Sequence, residues 1–79
     1  MNEKFKNQTV IITGGSNGIG EGIAKVFGKL SANVCIADID VERGENVVNQ
    51  IKERNGQAYF YNTDVRNEED IIKLISQVH

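Results

Sequence analysis

Proline and tryptophan are absent from these 79 residues, and cysteine, methionine and histidine each occur once. With no proline, no low-complexity run and no internal linker, nothing divides the chain, and its length allows at most one small domain. A domain this small buries only about 60% of the surface its unfolded chain exposes, so its stability is marginal. One cysteine cannot form an intrachain disulfide. Cys35 stands in an apolar run and reads as a small buried hydrophobe, not as a reactive thiol or a metal ligand. The single histidine, His79, is the last residue, which makes it a poor general base, and no metal constellation exists. No apolar run approaches the ~20 residues of a membrane span. The start, Met1-Asn2-Glu3-Lys4, lacks the apolar core of a signal peptide. Nine basic residues stand against 11 acidic ones, a net charge of -2. That balance offers no basic patch for nucleic acid or an acidic membrane. The expectation is a cytoplasmic, soluble domain with neither of those partners.

Glycine is the residue the chain does concentrate. Thr13-Gly14-Gly15-Ser16-Asn17-Gly18-Ile19-Gly20 follows the apolar run Thr9-Val10-Ile11-Ile12. It precedes a segment whose apolar residues recur at helical spacing: Ile19, Ile23, Val26, Phe27 and Leu30. Strand, glycine turn and helix in that order make a phosphate-binding corner. Gly14 allows a sharp turn out of the strand, because a residue without Cβ takes φ > 0 freely. Gly18 and Gly20 keep side chains out of the path of a pyrophosphate and let the helix pack close to the strand. The first amides of the helix lack intrahelical partners and suit an anion.

The remaining chain alternates in the same way. Strands are expected from Gln8 to Thr13, Asn33 to Asp38 and Gln57 to Asn62, and helices from Gly18 to Leu30 and Val41 to Arg54. A third helix, capped by Asn67, places Ile71, Leu74, Ile75 and Val78 on one stripe. Asp40 is a plausible N-cap for the second helix. Asn55-Gly56 is its stop, with the glycine in the left-handed conformation. The second strand is apolar throughout its interior, as a parallel strand covered on both faces should be. Helices of this length between strands read as β-α-β units with a parallel sheet. The fold class is therefore α/β, a Rossmann-type three-layer α/β/α arrangement with a parallel three-stranded half sheet, β-α-β-α-β-α, in strand order 3-2-1.

The spacing T-G-x-x-x-G-x-G, which also fixes the threonine and Gly18-Ile19-Gly20, resembles the short-chain dehydrogenase/reductase family. The likeness runs along essentially the whole chain, but only along the N-terminal part of that family. Residues 1–79 are thus expected to be the dinucleotide-binding half of a longer, truncated domain. Ligands of such sheets bind beyond the carboxyl ends of the strands. Three ends carry suitable residues. At the first, Gly14, Ser16, Asn17, Gly18, Ile19 and Gly20 would hold the adenosine ribose and the phosphates. At the second, Asp38 would accept both ribose hydroxyls of NAD and repel the 2′-phosphate of NADP. Neither Asn17 nor Ile39 is a cation that would offset it, so NAD is the preferred cofactor. At the third, the resemblance implies that Asp64 accepts from the adenine amine while Val65 packs on the ring.

The catalytic Ser and Tyr-x-x-x-Lys of the family are missing. Four residues on from Tyr59 stands Thr63, and four on from Tyr61 stands Val65. The family's Asn-Ala-Gly is absent too. No catalytic residue is assigned, and the chain alone is expected to be inactive as an NAD(P)-dependent oxidoreductase. The alternative is a non-catalytic nucleotide-binding or self-associating module. A methyltransferase with a similar acidic residue is a third reading, against which Thr13-Gly14 and Gly18-Ile19-Gly20 argue. In the resembling family the first strand is central. Here it would be an open edge, so a homodimer or higher oligomer is expected.

Overall fold

The structure is a computed structural model describing residues 4–15 and 17–78. It runs β1 (Thr9–Thr13), α1 (Gly18–Lys29), β2 (Asn33–Asp38), α2 (Val41–Glu53), β3 (Gln57–Asn62) and α3 (Glu68–Val78). The three strands form one parallel sheet with β2 between β1 and β3. Val10 pairs with Val34 and Val34 with Ala58; Ile12 pairs with Ile36 and Ile36 with Phe60. Because strand side chains alternate faces, these six residues share one face of the sheet. Ala24 and Phe27 of α1 and Val47, Val48 and Ile51 of α2 close over that face to make the core.

The other face carries Ile11, Cys35 and Tyr59, and then Thr13, Ala37 and Tyr61, in the next register. Val78 of α3 lines a cleft on that face with Thr9, Asn33, Cys35, Tyr59 and Tyr61. Both faces of the sheet thus meet helix. Burial raises the Cys35 thiol pKa, so this cysteine is an inert core residue and not an activated thiol.

Periodicity located the helices but not all of their buried faces. In α1 the buried residues are Gly20 and Ala24, while Ile19 is 82% exposed and Ile23 and Val26 are also exposed. The small residues turn inward because α1 lies almost against the backbone that leaves β1, as described below. In α3 only Leu74 of the apolar stripe is buried; Ile71, Ile72 and Ile75 are exposed.

One local expectation is corrected. Gly56 is not the left-handed residue after α2; Asn55 is, with φ +65. The N–H of Asn55 donates to the Lys52 carbonyl and that of Gly56 to the Ile51 carbonyl, each at 2.9 Å. This paired closure puts the left-handed residue one position before the glycine. Asparagine tolerates that conformation. Gly56 is small for another reason: a Cβ there would lie 2.6 Å from Ile51 Cγ2. The end of α1 closes the same way with Ser31 at φ +70, whose N–H donates to the Gly28 carbonyl while that of Ala32 donates to Phe27.

Candidate functional site

All three strands end at the same edge of the sheet. The Gly14 N–H donates to the Ala37 carbonyl at 2.9 Å, so the chain leaves β1 only after a last bond to β2. Gly14 then takes φ +66, the conformation a side chain resists. Its carbonyl accepts from the Asn17 N–H at 3.2 Å and closes the turn. Ser16, also expected at this turn, lies outside the described residues.

The three later residues of the turn divide their work. A Cβ on Gly20 would fall 2.3 Å from the Gly14 carbonyl oxygen and 2.9 Å from Gly15 Cα. Gly20 is therefore what lets the first turn of α1 rest on the strand exit. A Cβ on Gly18 would meet nothing within 4 Å, so Gly18 lines open space on the outer side. Asn17 is the N-cap of α1: its Oδ1 accepts from the Gly20 N–H at 3.2 Å. Its carbonyl accepts from the Glu21 N–H. The N–H groups of Gly18 and Ile19 lie in the first turn, where no intrahelical acceptor exists, at the positive end of the helix dipole. The Ile19 side chain points to solvent.

Asp38 ends β2 opposite Asn62 of β3. It is half-buried, and its Oδ1 accepts from the Asp40 N–H at 3.1 Å. Ile39 beside it is exposed. Asp40 caps α2, accepting from the Arg43 N–H at 3.0 Å.

The third end is tied to the second. The Thr63 N–H donates to the Asp38 carbonyl at 3.0 Å, and the Thr63 hydroxyl donates to the Tyr61 carbonyl at 3.2 Å. Asp64 follows, with its N–H donating to Asp70 Oδ2 at 3.0 Å. Val65 is exposed beside it. The Arg66 guanidinium and backbone N–H together hold the Asp64 carboxylate, and those hydrogen bonds lower its pKa from the ordinary 3.8. Sequence reasoning passed over Arg66, Thr63 and Asp70. An Asp followed two positions later by Arg just past a strand is the signal that points to the first of them.

Tyr59 and Tyr61 stand on the sheet face away from α1 and α2. Burial, then the neighbouring Cys35 and Tyr59, raise the Tyr61 phenol pKa, which is the wrong direction for a general base near neutrality. Among the described residues no group of three or more His, Cys, Asp or Glu could hold a metal ion. No described helix is long and apolar enough to cross a membrane. A small cavity of about 100 Å³ lies between the C-terminal ends of α1 and α2, lined by Lys25, Lys29, Ile51 and Arg54. It is at the far end of α1 from the glycine turn, and none of the three strand ends lines it.

A parallel β-α-β-α-β-α unit with a glycine turn at its first strand exit and a carboxylate at its second is a Rossmann-type nucleotide-binding unit. The family model described as short chain dehydrogenase matches residues 8–79. An oxidoreductase of Listeria innocua is 43% identical over 71 residues, covering 90% of this chain and 29% of the relative. A metagenomic short-chain oxidoreductase solved in complex with NADP superposes with TM-score 0.91 at 31% identity, over 95% of this chain and 34% of that one. An oxidoreductase from Haemophilus influenza solved with bound NAD gives TM-score 0.91 at 28% identity, over 96% of this chain and 27% of that one. The chain belongs to the short chain dehydrogenase family. It spans about a third or less of the length of these relatives.

Proposed function

We propose that this chain forms the adenosine-and-pyrophosphate-binding half of a short-chain NAD(P)-dependent oxidoreductase, and that it takes NAD in preference to NADP. The observation that carries the reading is the shared edge: the glycine turn, Asp38 and Asp64 rise from three adjacent strand ends. The first-turn N–H groups of Gly18 and Ile19 would receive the pyrophosphate, and the open space beside Gly18 suits its approach. The Asp38 carboxylate would accept from the adenosine ribose hydroxyls. Asp64 would accept from the adenine amine, and Val65 would cover the ring. Asn17 acts chiefly as the cap that holds this turn in shape.

The cofactor preference rests on charge. A 2′-phosphate placed beside Asp38 would set two anions at hydrogen-bond distance, which costs several kcal/mol where water is excluded. No cation stands at position 17 or 39 to offset it. When bound, the cofactor supplies hydride transfer at its nicotinamide. No residue of this chain is assigned to that step. A cytoplasmic setting fits the single buried thiol, Cys35.

The test is titration of the full chain with NAD and with NADP, before and after Asp38→Ala. Hydrogen bonds to a charged group contribute about 1.5–3 kcal/mol each, so NAD affinity should fall by roughly tenfold or more. Discrimination against NADP should relax in the same variant. Equal affinity of the unmutated chain for both cofactors overturns the preference.

A second reading, a self-associating module, is favoured by one observation. Among the described strands β1 is an edge, and Ile11 on it is exposed. An open strand edge is a template for pairing, here with a second copy to give a homodimer or higher oligomer. Sedimentation at high concentration tests this, and a monodisperse monomer rules it out.

A further inference from the structure

We propose that Arg66 is a positioning residue for nucleobase recognition: its guanidinium fork clamps the Asp64 carboxylate so that a single acceptor position, on Oδ2, is left for the exocyclic amine of a 6-aminopurine. The inference rests on the reading of Asp64 just given and deepens it.

The count of bonds carries the argument. An ionised carboxylate offers about four acceptor positions, two on each oxygen. Asp64 Oδ1 accepts from the Arg66 N–H at 2.9 Å and from Arg66 Nε at 3.1 Å. Oδ2 accepts from Arg66 Nη2 at 3.3 Å. Three of the four positions are filled by one residue, and the fourth is on Oδ2. The backbone beneath is held as well. The Asp64 N–H donates to Asp70 Oδ2 at 3.0 Å, and its carbonyl accepts from the Asn67 N–H at 2.9 Å. Only rotation of the side chain is left, and a two-point fork of this kind opposes it.

A clamped carboxylate reads one chemical feature. The open position accepts, so it pairs with the amine of adenine and repels the 6-oxo oxygen of hypoxanthine. Hypoxanthine also carries an N1–H donor next to that oxygen. A carboxylate free to swing could reach it and lose selectivity; the Arg66 fork opposes the swing. Arg66 also sets a positive charge in a cleft it shares with Asp64, Glu68 and Glu69. The Arg66 side chain is 82% exposed, so its loss leaves no hole in the core, and the chain should fold without it.

The experiment is titration of the full chain and its variants with NAD and with nicotinamide hypoxanthine dinucleotide. An exposed ion pair contributes little, so Arg66→Ala should weaken NAD by roughly two- to fivefold. Affinity for the hypoxanthine analogue should hold or rise, so the ratio narrows. Arg66→Lys keeps the charge without the fork and should behave like the alanine variant. If lysine restores the unmutated ratio, charge alone acts and the positioning role is overturned. Asp64→Asn separates the two levels. If it narrows the ratio while Arg66→Ala leaves it unchanged, Asp64 reads the base and this inference fails. If Asp64→Asn changes nothing, the assignment of Asp64 to adenine fails, and the role of Arg66 falls with it.

Discussion

The backbone N–H of Thr63 donates to the carbonyl of Asp38 across 3.0 Å. Thr63 is only 2% exposed, although it lies beyond the last residue of β3. The bond extends the β2–β3 ladder one step past the strands and brings the loop that carries Asp64 beside the residue that ends β2. A matching bond, from Gly14 to Ala37, does the same between β1 and β2. Two hydrogen bonds thus set three chain segments, far apart in sequence, along one edge. A buried backbone amide here has to be paired, and the pairing it finds is what assembles the site.

Two glycines of the turn should separate by experiment. Gly20→Ala forces a Cβ to 2.3 Å from a backbone oxygen, and backbone cannot yield cheaply. The variant should lose about 1–3 kcal/mol of stability, the usual cost of overpacking, and NAD binding with it. Gly18→Ala meets nothing within 4 Å. It should fold as the unmutated chain does, yet bind NAD more weakly if the pyrophosphate approaches as proposed, because the added methyl would stand in that open space. Urea unfolding with parallel NAD titrations distinguishes the two.

The same Gly→Ala change should have opposite signs in the two helices on the core face. At Gly22, on the exposed side of α1, a Cβ meets nothing within 4 Å. Alanine there should stabilise by about 0.5–1 kcal/mol through helix propensity. At Gly44, buried in α2, a Cβ would lie 2.1 Å from Phe60 Cε1. The propensity gain is then outweighed by displacement of the ring, costing about 1–3 kcal/mol. Denaturant midpoints, with the slope unchanged, read both effects.

The Asp64 carboxyl titrates differently in the folded and unfolded chain. Its pKa in the folded state is lowered from 3.8, first by the side-chain hydrogen bond from Arg66. The folded form therefore binds fewer protons than the unfolded chain in this range. The contribution of Asp64 is present in full above the unfolded value and is lost as pH falls through the lowered one. NMR titration of the Asp64 carboxyl carbon should show a midpoint below 3.8, moving up in Arg66→Ala. An unchanged midpoint in that variant rules out the fork as the cause. The pair is exposed, so the effect on global stability is small.

Much of this protein was legible in its sequence. Strand and helix positions followed from apolar runs and the 3.6-residue period, which are local properties. The caps at Asp40 and Asn67 followed from side chains that reach amides only two or three residues away, whereas the capping role of Asn17 came from the structure alone. The strand-turn-helix at the start and the family likeness were legible because their signal is packed into eight consecutive residues, Thr13 to Gly20.

Only the tertiary structure decided which faces the helices bury. Periodicity gives a stripe, but contact with the Gly14–Gly15 backbone turned Gly20 and Ala24 inward and left Ile19, Ile23 and Val26 outside. It likewise moved the left-handed residue from Gly56 to Asn55, since the closing bonds of α2 and the Ile51 side chain set that choice together. The Thr63–Asp38 bond was not legible, and of the Arg66 clamp the sequence carried only the spacing of Asp64 and Arg66, not the fork. One joins residues 25 positions apart (63 less 38), and the other depends on how a turn aims two charged side chains. Local sequence determines which elements form; long-range hydrogen bonding and steric fit determine where their functional atoms meet.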